Sequence, residues 1–233
     1  LHDALPISIT IDNANPTTPG ALTINSTSTD SVILNFGATS TDSNFDEYKL
    51  FYKLGSSGVT ESDTAFTSTT DANLATSTLN DATTTTILSL VSNSQYVANI
   101  WAYDTYSNSV SSSAELAFYT LAPTPTNLAT TSLSTTGASF SVDTFNNHNS
   151  DDSAYYFDLT LTSDGSPVDN SNWQAGDNTW DATLLTAYTE YTITVKYRNG
   201  DGVETATTSL DFYTLDDTAL VPAISSATPD SAT

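Results

Sequence analysis

The side chains that could do bond chemistry are few, and their spacing argues against it. The only imidazoles are His2 and His148, and there is no cysteine. A nucleophile needs a base within hydrogen-bond reach. His148 lies in Asn146-Asn147-His148-Asn149-Ser150-Asp151-Asp152, a polar run that reads as a solvated loop. The absence of Cys removes thiolate nucleophiles and thiolate metal sites. Carboxylates are plentiful, but glycosidic cleavage needs two of them facing each other across a cleft lined for sugar, which small modules seldom form. A Gly-rich phosphate loop, Gly-x-Ser-x-Gly and His-Glu-x-x-His are all missing. The expectation is a protein that is not an enzyme and has no catalytic residues.

Oxygen ligands offer the other chemistry. Asp42-Ser43-Asn44-Phe45-Asp46 places Asp42, Asn44 and Asp46 at alternate positions, an oxygen density that suits a hard cation such as Ca2+. The EF-hand pattern fails, because Glu47 stands where Gly is needed and Lys53 where a bidentate Glu belongs. Two readings stay open: a calcium site, or a turn whose Asp and Asn bond their own backbone. Asp151-Asp152 and Asp216-Asp217 repeat the pattern more weakly, the latter at a junction where Ca2+ could bridge modules. No other cofactor is expected.

Charge bounds the partners. Four Lys and Arg against 27 Asp and Glu give a net charge of -23. Such a chain repels nucleic acid phosphates and anionic lipid. No run of about 18 apolar residues is present, so no membrane insertion is expected. The stretch His2 to Ile7 reads HDALPI and resembles the translated end of a sequencing adapter, so residues 1–8 are read as an artefact and left out of fold reasoning.

Strands must position these side chains. Apolar residues alternate with period 2 in Val32, Leu34, Phe36; in Tyr48, Leu50, Tyr52, Leu54; and in Tyr96, Ala98, Ile100, Ala102. They do so again in Ala138, Phe140, Val142; in Tyr155, Phe157, Leu159, Leu161; and in Tyr191, Ile193, Val195, Tyr197. Turn residues fill the gaps, as in Asn199-Gly200-Asp201-Gly202. The second half repeats the first. Ala117-Phe118-Tyr119-Thr120-Leu121 matches Asp211-Phe212-Tyr213-Thr214-Leu215, and Leu90 and Leu185 each stand six positions before a Tyr, Tyr96 and Tyr191. A spacing near 100 residues means tandem domains. The order predicts an all-β chain of two tandem antiparallel sandwiches.

These residues carry a family resemblance. Pro before the first strand, Ser31-Val32-x-Leu34-x-Phe36, Tyr48-x-Leu50-x-Tyr52, Leu90 with Tyr96, Ile100-x-Ala102 and the closing Thr120 resemble the fibronectin type III modules of bacterial surface and secreted proteins. The resemblance spans about residues 16–216. It implies two fibronectin type III-like domains, 16–121 and 122–216. Flanking them are 1–15, the artefact plus the last strand of a preceding Ig-like module, and 217–233, a linker and the start of a further module. It also implies structural tyrosine corners at Tyr96 and Tyr191, their hydroxyls turned onto nearby backbone.

By the family's sheet order, Phe51, Trp101, Tyr103 and Tyr119 form one exposed aromatic patch on module 1. That patch suits a protein partner, a glycan, or a loop of the same chain. The matching face of module 2, Thr192, Thr194, Lys196 and Arg198, is polar. Trp173 and Trp180 are expected to be buried structurally under a long loop. The implied function is a non-catalytic, extracellular spacer or adhesion array of a bacterial surface or secreted protein. Its partners would be its own neighbouring modules. The rivals are an accessory carbohydrate-binding unit of a secreted glycoside hydrolase and a calcium-stiffened adhesin segment.

Overall fold

The computed structural model describes residues 12–76, 79 and 83–217. Residues 1–8, the flanking strand expected up to residue 11 and the third-module start at Val221 lie outside the described residues. The chain is all-β. Module 1 contains β1 (Thr23–Thr27), β2 (Val32–Asn35), β3 (Phe45–Leu54), β4 (Thr64–Phe66), β5 (Thr84–Ile87), β6 (Gln95–Asp104), β7 (Ser109–Ser111) and β8 (Leu116–Tyr119). One 3-10 turn, Ala72–Ala75, precedes β5; it is the sole helical element among the described residues. Module 2 contains β9 (Ala129–Leu133), β10 (Gly137–Ser141), β11 (Ala154–Leu161), β12 (Pro167–Asn170), β13 (Thr179–Thr183), β14 (Glu190–Arg198) and β15 (Thr208–Tyr213).

Each module pairs two antiparallel sheets. In module 1, β1-β2-β5 faces a sheet in which β3 and β6 are central, with β4 outside β3 and both β7 and β8 on the far side of β6. In module 2, β9-β10-β13 faces β12-β11-β14-β15. Register follows the alternation. Leu50 sits opposite Ile100, and Phe157 opposite Val195, so each pair drops into the same interior. Two separate cores result. Val32, Leu34, Phe36, Tyr48, Leu50 and Ile100 close one, and Phe140, Tyr155, Phe157, Ile193, Val195 and Tyr197 close the other. Without disulfides, this apolar burial is the main stabilising term.

Each core is pinned by a tyrosine. The Tyr96 hydroxyl accepts the N–H of Val91 at 3.0 Å, and the Tyr191 hydroxyl accepts the N–H of Thr186 at 2.9 Å. Thr120 and Thr214 repeat one another as well, each donating its hydroxyl to a backbone carbonyl, that of Val91 or Thr186. The left-handed residues recur in step too: Ser89 (φ 62°) with Leu184 (φ 61°), and Asn93 (φ 45°) with Tyr188 (φ 50°).

Candidate functional site

Three places could carry function: a carboxylate cluster at the leading pole of module 1, the outer sheet faces, and the joint between modules. At the leading pole the loop before β3 meets the corner after β6. The ligand oxygens of Asp12, Asp42 and Asp104 all lie within 4.8 Å of one another. Asp104 is buried and caps its own corner, accepting the N–H of Tyr106 at 2.9 Å, the N–H of Asn108 at 2.8 Å and the Asn108 amide at 2.7 Å. Burial alone would raise its carboxyl; the bonds from Asn108 and Tyr106 outweigh that and hold it below the usual carboxylate range. At such separations a like-charge pair costs about 1 kcal/mol in water, and more where solvent is thinned. The set could therefore hold a hard cation.

The trio expected at this loop is not the trio assembled. Asp42 takes part, and also caps its turn by accepting the N–H of Asn44 at 2.7 Å. Asn44 turns its amide N–H onto Asp12 Oδ2 at 2.7 Å, so it presents a donor there instead of a ligand oxygen. Asp46 already belongs to β3 and is exposed outside the cluster. The missing partners, Asp12 and Asp104, come from distant stretches.

The aromatic face of module 1 is covered by its own chain. Phe51 is only 4% exposed and, with Val59 and Val97, forms a small second core on which Trp101 packs edge-on, ring centroids 5.1 Å apart. The 55–63 loop folds over the sheet because the Glu115 carboxylate accepts the N–H groups of Gly58 at 2.8 Å and Val59 at 2.6 Å. Glu61 accepts the hydroxyls of Tyr103 and Ser109, and Lys49 lies 4.1 Å from the Tyr103 ring centre. Tyr103 is half-buried, and burial followed by the Glu61 bond pushes its phenol up. The expected exposed patch of Phe51, Trp101, Tyr103 and Tyr119 is corrected accordingly. Phe51 is buried, Trp101 and Tyr103 are half-buried, and Tyr119 lies elsewhere, at the joint.

The outer face of module 2 is more aromatic than its β14 residues imply. Trp173 runs beside Tyr156, ring centroids 5.2 Å apart, and the Arg198 guanidinium stands 4.6 Å from the Trp173 ring. Lys196 reaches the same ring at 5.4 Å and pairs with Glu204 at 2.6 Å. Trp173 is thus half-buried on the outer face, whereas Trp180 packs on Phe140 and Phe157 at the edge of the core. His148 is half-buried, not solvated; its Nδ1 bonds the carbonyl of Phe145 at 2.8 Å, beside the Tyr155 ring.

At the joint, buried polar groups are paired across the module boundary. Asn93 is fully buried; its amide donates to the Asn146 carbonyl at 2.6 Å and to Ser153 Oγ at 3.0 Å, and its oxygen accepts the N–H of Gly200 at 3.1 Å. The Asn147 amide donates to the Asn93 carbonyl at 3.0 Å and to Ser94 Oγ at 3.0 Å. The Asn199 amide donates to the Thr120 carbonyl at 3.2 Å. Tyr119, 6% exposed, donates its hydroxyl to Asp151 and its N–H to Asp201 at 3.2 Å. Burial and the Asp151 carboxylate push that phenol up. Beside Tyr119 an open cleft of about 480 Å³ is lined by Leu54, Val91 and Gln95 from module 1 and Asn146 and Asp151 from module 2.

Against known proteins, this architecture is that of a tandem pair of fibronectin type III-like sandwiches. A two-domain fibronectin type III segment of chicken tenascin superposes with a TM-score of 0.54 at 15% identity, covering 84% of this chain and 99% of that one. A computer-redesigned β-sandwich protein matches 41% of this chain and 98% of its own at 19% identity, with a TM-score of 0.36. No family model matches the sequence, and neither does any curated protein. No described helix is long and apolar enough to cross a membrane.

Proposed function

We propose that the chain is an extracellular spacer and adhesion array that presents other domains of a bacterial surface or secreted protein. The observation that carries this reading is the end-to-end arrangement. Two independently closed cores meet through a fully paired polar joint, so one module holds the next at a set distance. Fold alone does not assign function; the support lies in that joint, together with a net charge of -23 that keeps neighbouring arrays apart at low salt. An antibody against the chain should label intact producing cells or the culture medium. Signal that appears only after lysis overturns the reading.

A calcium-stiffened version is favoured by one observation, the approach of Asp12, Asp42 and Asp104 within 4.8 Å. Extracellular calcium sites commonly bind with Kd of about 10⁻⁴ to 10⁻³ M. On this reading millimolar Ca2+ raises the melting temperature, chelator reverses the rise, and Asp104→Asn removes it. A melting temperature unmoved by either addition ends that version.

A further inference from the structure

The corner after β6 in module 1 and the corner after β14 in module 2 are built alike. Asp104 accepts the N–H groups of Tyr106 and Asn108; Asn199 accepts those of Asp201 at 3.1 Å and Val203 at 2.8 Å. They differ in what is left over. Asp104 has a second carboxylate oxygen, which accepts the Asn108 amide at 2.7 Å, and its carboxylate lies within 4.8 Å of those of Asp12 and Asp42. Asn199, fully buried, has an amide N–H group, which it gives to the Thr120 carbonyl of module 1. A carboxylate at 199 would keep the corner but set an acceptor against an acceptor in a dry place. The next position differs as well. Thr105 follows Asp104, whereas Gly200 follows Asn199 with the Tyr119 ring directly over it, and a Cβ on Gly200 would fall among the ring carbons. The trailing pole of module 1 therefore has the shape and hydrogen-bond polarity of an Asn-Gly corner and excludes the Asp-Thr corner of module 1 itself.

We propose that this interface holds the two sandwiches as one stiff body, and that Asn199-Gly200 is what qualifies a sandwich to follow module 1. Asn93 supplies the other half of the match: its side chain spans from the Asn146 carbonyl and Ser153 to the Gly200 N–H, so it is satisfied only by a partner with those loops. The partner class is thus a second β-sandwich with a neutral, glycine-containing corner, and the selection acts by unmatched acceptors and by steric exclusion. This deepens the spacer reading by making module order and stiffness properties of one joint.

The test is backbone 15N relaxation on the intact chain. In the unaltered protein, amides of both modules are expected to report one common overall tumbling time. Asn199→Asp and Gly200→Ala are each expected to abolish it, leaving two shorter, unequal times while both sets of amide signals stay dispersed. Gly202→Ala is the control. It lies in the same corner at φ +77° with nothing within 4 Å of a Cβ, so it strains the loop without touching the joint, and common tumbling should persist. Independent tumbling in the unaltered chain overturns the stiff body. Common tumbling in Asn199→Asp or Gly200→Ala, or its loss in Gly202→Ala, overturns the selection. A chain found inside the cell removes the spacer reading and leaves this joint standing.

Discussion

The trailing poles of the two modules share a backbone and differ in their side chains. At module 1, Asn93 and Tyr119 are buried by the loops of module 2. At module 2, the same places hold Tyr188, 74% exposed, and Tyr213, 54% exposed, and Leu184 stands at 95% where module 1 has Ser89. The left-handed turns and the threonine bonds are the same at both poles. The fold therefore supplies the same pole twice, and the side chains on it differ.

The sharpest way to break this comparison is to truncate the two tyrosines. Tyr119→Ala should cost about 3 kcal/mol in urea unfolding, as buried aromatic truncations do, whereas Tyr213→Ala should stay within about 0.5 kcal/mol. Equal losses would mean that the joint contributes nothing. Next come the corners that both modules share. Tyr96→Phe and Tyr191→Phe each leave one backbone N–H without its acceptor, and each should cost about 1 to 2 kcal/mol. A large inequality would show that the two frameworks are not equivalent.

Giving the pole of module 2 the residue that module 1 carries tests the side-chain argument from the other direction. Tyr188→Asn puts a residue that tolerates φ near 50° in place of one that does not, and should stabilise by up to about 0.5 kcal/mol in thermal unfolding. A clear loss would mean that the exposed ring is already in contact with something.

The smallest effect concerns Asp104. Its folded carboxyl sits below its unfolded value, so its stabilising contribution is fully present above about pH 3.9 and is lost as the pH falls through the lower folded value. Asp104→Asn makes the corner of module 1 read like that of module 2. It should remove this part of the acid sensitivity below about pH 4, as followed by circular dichroism. An unchanged acid profile would remove Asp104 from that account.

Much of this was legible along the chain. Period-2 alternation named the interior residues, because a strand turns successive side chains to opposite faces whatever lies beyond it. Val32, Leu34, Tyr48, Leu50, Ile100, Phe157, Ile193 and Val195 are all buried as that pattern requires. The spacing of Leu90 to Tyr96 and of Leu185 to Tyr191 marked two corners, because a short loop leaves the phenol little choice of partner. Alternation also limits what it predicts. It says that Phe51 and Val97 point away from the core, and they do; it cannot say that a loop held by Glu115 returns to cover them.

The sequence by itself determined two β-sandwiches in tandem, since strand period, turn residues and corner spacing act over a few neighbours. Only the tertiary structure decided what their surfaces do. Asp12, Asp42 and Asp104 meet from three separate stretches, and Asn93 finds Ser153 and Gly200 across a module boundary. Such meetings depend on how whole sheets pack, and no local periodicity records which loop will face which.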